Sequence, residues 1–103
     1  MNADNRHRLP NRREHEVIDF EFRGHRYSAG LGRFADGRPA EIFLDCSKVA
    51  SPLAADARDV AVAISIALQF GAPISALRAA VSREADDTPA GIAGAVLDLL
   101  EAK

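Results

Sequence analysis

A chain of 103 residues with a formal charge of -2 can build one compact domain with a modest core, and hardly two. Apolar residues make up 48% and charged residues 27%, the balance of an ordinary water-soluble globule, and no run of about 18 apolar residues exists to span a membrane. The slight acidic balance argues against a dedicated nucleic-acid binder, the single Cys46 rules out an internal disulfide and fits a reducing cytoplasm, and the opening MNADNRHRLPNRREHE lacks the apolar core of a signal peptide.

Residues 1–14 are rich in Asn, Arg and His, contain Pro10 and show no apolar period, so a disordered basic tail is expected there, with the folded domain spanning 15–103. Ile18, Phe20 and Phe22 then alternate with Asp19, Glu21 and Arg23, the period of a half-buried strand. Gly24-His25 supplies a tight turn into a second alternating set, Tyr27, Ala29 and Leu31, with Ser28, Gly30 and Gly32 opposite. Two glycines on one strand face predict a bulge or the close approach of another backbone. Asp36-Gly37 is a hairpin signal, and Pro39 opens a third strand, PAEIFLD, where a missing N–H is tolerated. Three strands joined by short turns make an antiparallel meander.

Helices follow. Ser51 is a plausible N-cap with Pro52 at the first helical position, and Gly71 closes the helix. Between Leu53 and Phe70, the residues Leu53, Ala57, Val60, Ala61, Ile64 and Leu68 trace one apolar stripe, while Val62 and Ile66 are apolar on the opposite side. A helix apolar all round is central and needs a second layer, from the last two helices or from another chain. Pro73 opens a second helix over ISALRAAVSRE, in which Ile74, Leu77 and Val81 share a face. Asp86-Asp87-Thr88-Pro89 repeats the cap-then-proline signal before a last helix striped by Ile92, Val96, Leu99 and Leu100. The order β-β-β-α-α-α, with strands and helices segregated, defines an α+β fold with the central helix packed on the sheet.

The chemical inventory is thin. Cys46 ends the third strand beside Ser47 and Lys48, and a nearby lysine can lower a thiol pKa, which makes it a weak catalytic candidate; a small half-buried filler is the plainer reading. His7, His15 and His25 lack the paired spacing of a zinc site, so no metal is expected. Gly30-Leu31-Gly32 and Gly37 lie inside a meander and do not lead into a helix, unlike a phosphate-binding loop, and no cofactor is expected. Arg6, Arg8, Arg12 and Arg13 form a short basic arm able to touch phosphates or an acidic protein, with a solvated tail as the plainer reading. The feature that exceeds its structural role is the far side of the central helix, where Val62, Ile66 and Phe70 form a candidate interaction surface.

The stretch Gly32 to Val81 resembles the TSCPD domain of adenosylcobalamin-dependent ribonucleoside-diphosphate reductases. The recognisable pieces are Asp36-Gly37-Arg38-Pro39, Glu41-Ile42-Phe43, and Ser65 to Gly71 followed by Pro73, with weaker likeness from Glu16 to Ala102. The Thr-Ser-Cys-Pro-Asp segment that names the domain has no counterpart in these 103 residues, nor does the reductases' cysteine-rich end. The resemblance therefore implies a fold and brings no catalytic residue with it. Ribonucleotide reduction needs a thiyl radical and a pair of reducing thiols, and one cysteine cannot fill both roles.

Three functions are thus expected in order. The first is a non-catalytic accessory domain that binds a reductase large subunit or a second copy of itself. The second is a subunit of a split reductase using Cys46 in electron delivery. The third is a nucleotide or nucleic-acid binding module.

Overall fold

The structure is a computed structural model that describes residues 6, 9, 15–47 and 51–102. Its elements are β1 (His15–Phe22), β2 (His25–Arg33), β3 (Pro39–Cys46), α1 (Pro52–Gln69), α2 (Ile74–Ala80) and α3 (Ile92–Ala102). The strands form one antiparallel sheet in the order β1-β2-β3, so the expected α+β meander with three following helices is the fold observed. The expected disordered tail over residues 1–14 lies outside the described residues, apart from Arg6 and Leu9.

The first hairpin turns one residue earlier than the expected Gly24-His25. Arg23 (φ 51°) and Gly24 (φ 79°) occupy the turn, and His25 already pairs with Phe22. Both central residues of such a two-residue turn must be left-handed to match strand twist, and glycine takes that conformation without strain. This turn fixes the register. Phe20, Tyr27 and Cys46 fall in one cross-strand row, and Ile18, Ala29 and Leu44 in the next. These rows form the inner face, where the Phe20 and Tyr27 rings stack at 5.5 Å.

Ser51 caps α1 as its hydroxyl accepts from the Ala54 N–H, and Pro52 begins the helix. The helix lays Ala54, Ala57, Ala61, Ile64 and Leu68 against the inner face beside β3. Three alanines let the helix axis come close to the strand, and α3 completes the core with Val96, Leu97 and Leu100. No helix among the described residues is long and apolar enough to cross a membrane.

The second helix is shorter than the sequence suggests. It stops at Ala80, and Val81 turns extended (φ -82°, ψ 158°). Residues 82–90 fold back on themselves: Glu84 N–H donates to Thr88 O at 2.8 Å and Ala90 N–H to Ser82 O at 3.1 Å. The Asp86 carboxylate accepts from both the backbone N–H and the hydroxyl of Thr88, which lowers its pKa, and Asp87 is left-handed at φ 69°. Asp86-Asp87-Thr88-Pro89 therefore builds an aspartate-stabilised turn instead of a helix start. Arg78 of α2 also bonds Asp98 of α3, a contact twenty residues away that local helical periodicity does not reveal.

Candidate docking site at the sheet edge

β3 is an edge strand, and α1 runs alongside it. An uncovered edge exposes alternate backbone N–H and C=O groups. Here α1 answers part of that demand with two polar residues one turn apart. The Ser65 hydroxyl accepts from Ile42 N–H at 2.9 Å and donates to Ile42 C=O at 3.1 Å. The Gln69 amide nitrogen donates to Ala40 C=O at 3.1 Å, and that side chain is only 3% exposed. Sequence reading missed both. Their signal is a Ser/Gln pair spaced i, i+4 in an otherwise apolar helical half.

Beyond this cap, a cavity of about 410 Å³ opens between β3 and α1. Phe43 and Asp45 line it from the strand, and Arg58, Val62 and Ile66 from the helix. Val62 is 58% exposed, Ile66 37% and Phe43 52%. The apolar surface continues across the outer face of the sheet, because Val17, Gly30 and Phe43 fall in one cross-strand row and Val17 is 72% exposed. The row is flanked by Asp19, Ser28 and Asp45 on one side and by His15, Gly32 and Glu41 on the other. Glu41 folds across Gly32, where an added Cβ would sit 2.6 Å from its Oε2 and 2.7 Å from its Cγ. The close approach expected at these glycines is thus a side chain's, and the expected bulge appears as a register shift at Gly32/Arg33.

Of the three residues expected to form an interaction surface, Val62 and Ile66 share this groove. Phe70 does not line it; it lies half-buried as the C-cap, past the last helical residue. Neither α2 nor α3 covers Val62 or Ile66. Cys46 lies on the inner face at 3% exposure beside Tyr27, whose hydroxyl is pushed up in pKa by burial and by this neighbour. Lys48, the expected modulator of the thiol, lies outside the described residues. His15 begins β1 and His25 begins β2, while His7 lies outside the described set. Among the described residues no group of three or more His, Cys, Asp or Glu side chains is arranged to hold a metal ion. Of the basic arm, Arg6 is described and reaches Gln69; Arg8, Arg12 and Arg13 lie outside.

The fold and this groove define a small α+β module with an apolar groove along its sheet edge. Its sequence is related to a region of vitamin B12-dependent ribonucleotide reductases. The reductase of Agrobacterium fabrum is 39% identical over 69 residues, covering 67% of this chain and 5% of the reductase. That of Rhodopirellula baltica is 33% identical over 72 residues, covering 70% and 7%, and that of Bradyrhizobium diazoefficiens 33% over 69 residues, covering 67% and 6%. The matched stretch is thus a small fraction of the length of these reductases. No family model matches the chain, and no solved structure matches it.

Proposed function

We propose that this chain is a non-catalytic docking domain that works with a vitamin B12-dependent ribonucleotide reductase, binding its large subunit through the groove between α1 and β3. The observation that carries the reading is the solvent-facing apolar set Phe43, Val62 and Ile66 at a sheet edge. Small monomeric domains rarely leave such a set uncovered unless something binds there. The relation to a region of reductases supplies the kind of partner. A direct catalytic role finds less support, because the only cysteine is buried and faces the core. Nucleic-acid binding finds less still, since Asp19, Glu21 and Asp45 stand on the outer sheet face and repel phosphates.

The test is titration of the full chain against the purified reductase of its source cell, read by sedimentation, with the chain alone as reference. A complex is expected, and Val62→Asp or Ile66→Asp should weaken it by about tenfold or more, the equivalent of roughly 1.4 kcal/mol. The thermal melt of free Val62→Asp should stay near wild type, because that side chain is 58% exposed. No complex at about 100 μM, or a complex indifferent to both substitutions, would overturn the reading. Self-association of the chain that Val62→Asp abolishes would assign the groove to a second copy instead.

A further inference from the structure

The two edges of the sheet are finished differently. On β3, Ser65 and Gln69 of α1 engage the outward backbone groups of Ile42 and Ala40. β1 forms the opposite edge. Its outward groups follow from the ladder, in which successive residues along a strand bond opposite neighbours. The Ser47 N–H donates to the Arg26 C=O, so Arg26, Ser28, Gly30 and Gly32 face β3, and Tyr27, Ala29 and Leu31 bond Phe20, Ile18 and Glu16. The N–H and C=O of His15, Val17, Asp19 and Glu21 therefore point away from the sheet, and no hydrogen bond among the described residues closes that row.

An edge of this kind takes up another strand unless something blunts it. β1 is eight residues long, pairs with β2 in unbroken register, and contains no proline or lysine. It is apolar on both faces, with Val17 outside at 72% exposure and Ile18 and Phe20 half-buried inside. The strand also complements itself. Laid antiparallel about a two-fold axis at Ile18, a second copy sets every outward residue against another, His15 opposite Glu21 and Val17 opposite Asp19. No like charges then stand directly opposite, an imidazole meets a carboxylate at both ends, and the two Ile18 side chains meet on the inner face. An axis at Asp19 would oppose two carboxylates, and one at Val17 would pair only residues 15–19 of the described strand.

We propose that this chain forms a two-fold dimer through β1, paired antiparallel with β1 of a second copy about Ile18, so that two three-stranded sheets become one of six strands. The joint does not depend on the groove between β3 and α1, which stays open at the far edge of each copy. Dimer formation is read on the chain alone, so its failure and the failure of reductase binding are separate results. A strand-to-strand joint buries less than the roughly 800 Å² per partner of a standard interface, so the dimer is weak and its population rises with concentration.

The experiment is sedimentation of the full chain from about 10 μM to about 1 mM, where a monomer–dimer equilibrium is expected. Val17→Asp sets a carboxylate opposite Asp19 of the second copy at two places and should weaken association about tenfold or more. That side chain is 72% exposed, so the fold is spared. Adding Asp19→Lys turns the repulsion into attraction and should restore the dimer, a rescue that a merely structural effect would not give. Val62→Asp, in the groove, should leave association unchanged. Oxidation of Ile18→Cys reads the register, because directly opposed, non-bonded residues lie about 4.5 Å apart at Cα, within reach of a disulfide. A linked dimer is expected there and not for Glu21→Cys, whose two copies stand about 20 Å apart along the joint. Cys46, at 3% exposure, leaves the wild type unlinked as reference. A monomer at about 1 mM, association indifferent to Val17→Asp, or association abolished by Val62→Asp would each overturn the proposal, the last by assigning the joint to the groove. A linked dimer from Glu21→Cys and none from Ile18→Cys would overturn the register.

Discussion

Cys46 closes β3 with its side chain turned inward, because it shares parity with Ile42 and Leu44 on the strand and all three are buried. A half-buried filler at this position was legible in the sequence, although the unbroken run Ile42-Phe43-Leu44 offers no alternation to assign its face. Its neighbour was not. The Tyr27–Cys46 pairing depends on the β2–β3 register, set by the turn in which Phe34 bonds Arg38 and Gly37 and by the shift at Gly32/Arg33, and a slip of one residue would have faced Cys46 outward. A thiol in this position reacts only when the structure opens locally. Alkylation of Cys46 by iodoacetamide in native buffer should therefore run at least ~100-fold slower than in denaturant. A native rate within a few-fold of the denatured one would restore the thiol as an accessible redox group, and mass spectrometry of timed aliquots decides it.

At the scale of the element, α1 does two jobs with two faces. Its alanine face was readable as a helical stripe, and so was the surplus of Val62 and Ile66. Phe70 looked like the next step of that surplus, four residues on, but the helix ends at Gln69 and Phe70 leaves the stripe at φ -90°, ψ 5°. Phe43 escaped notice for a different reason. Ile42, Phe43 and Leu44 are three consecutive apolar residues, so no alternation singles out the one facing solvent. Ser65 escaped because a serine in a helix usually faces water, whereas here it binds both backbone groups of Ile42. Ser65→Ala should cost about 1 kcal/mol, the low end for an unsatisfied backbone pair, because the half-buried site lets water substitute. The check is urea unfolding together with hydrogen exchange at the Ile42 amide, which should quicken. Ser75→Ala, on an exposed position of α2, serves as the control and should change stability by less than about 0.5 kcal/mol. Equal losses in the two variants would mean that the edge cap contributes nothing specific.

Across the whole molecule, the sheet and α1 form one packed unit, and the last third of the chain is joined to it through the α3 core residues and held to itself by a carboxylate. Asp98 of α3 receives Arg78 from α2 at 2.9 Å and a two-pronged Arg83 from the following turn at 2.6 and 3.2 Å. Hydrogen bonds from Arg83, and after them those from Arg78, hold the Asp98 carboxyl below the usual range. The sign follows from linkage. A carboxylate depressed in the folded state adds stability at any pH above its unfolded value of about 4 and loses it as pH falls through the folded value. Because the cluster is partly solvent-exposed, Asp98→Asn should cost only about 1 kcal/mol at pH 7. For a domain of this size that lowers Tm by roughly 4–8 °C. The gap between wild type and Asp98→Asn should begin to shrink as pH falls below about 4, where the unfolded chain's carboxyl takes up its proton first, and should close once pH passes the depressed folded value. A gap of equal size at pH 7 and pH 3 would assign the loss to packing and not to charge. Hydrogen exchange locates the same effect in space. Acid should first loosen the amides of α2 and of residues 82–90, which depend on Asp98, while Ile42 and the α1 amides that frame the groove stay protected, since their hydrogen bonds involve no titrating group.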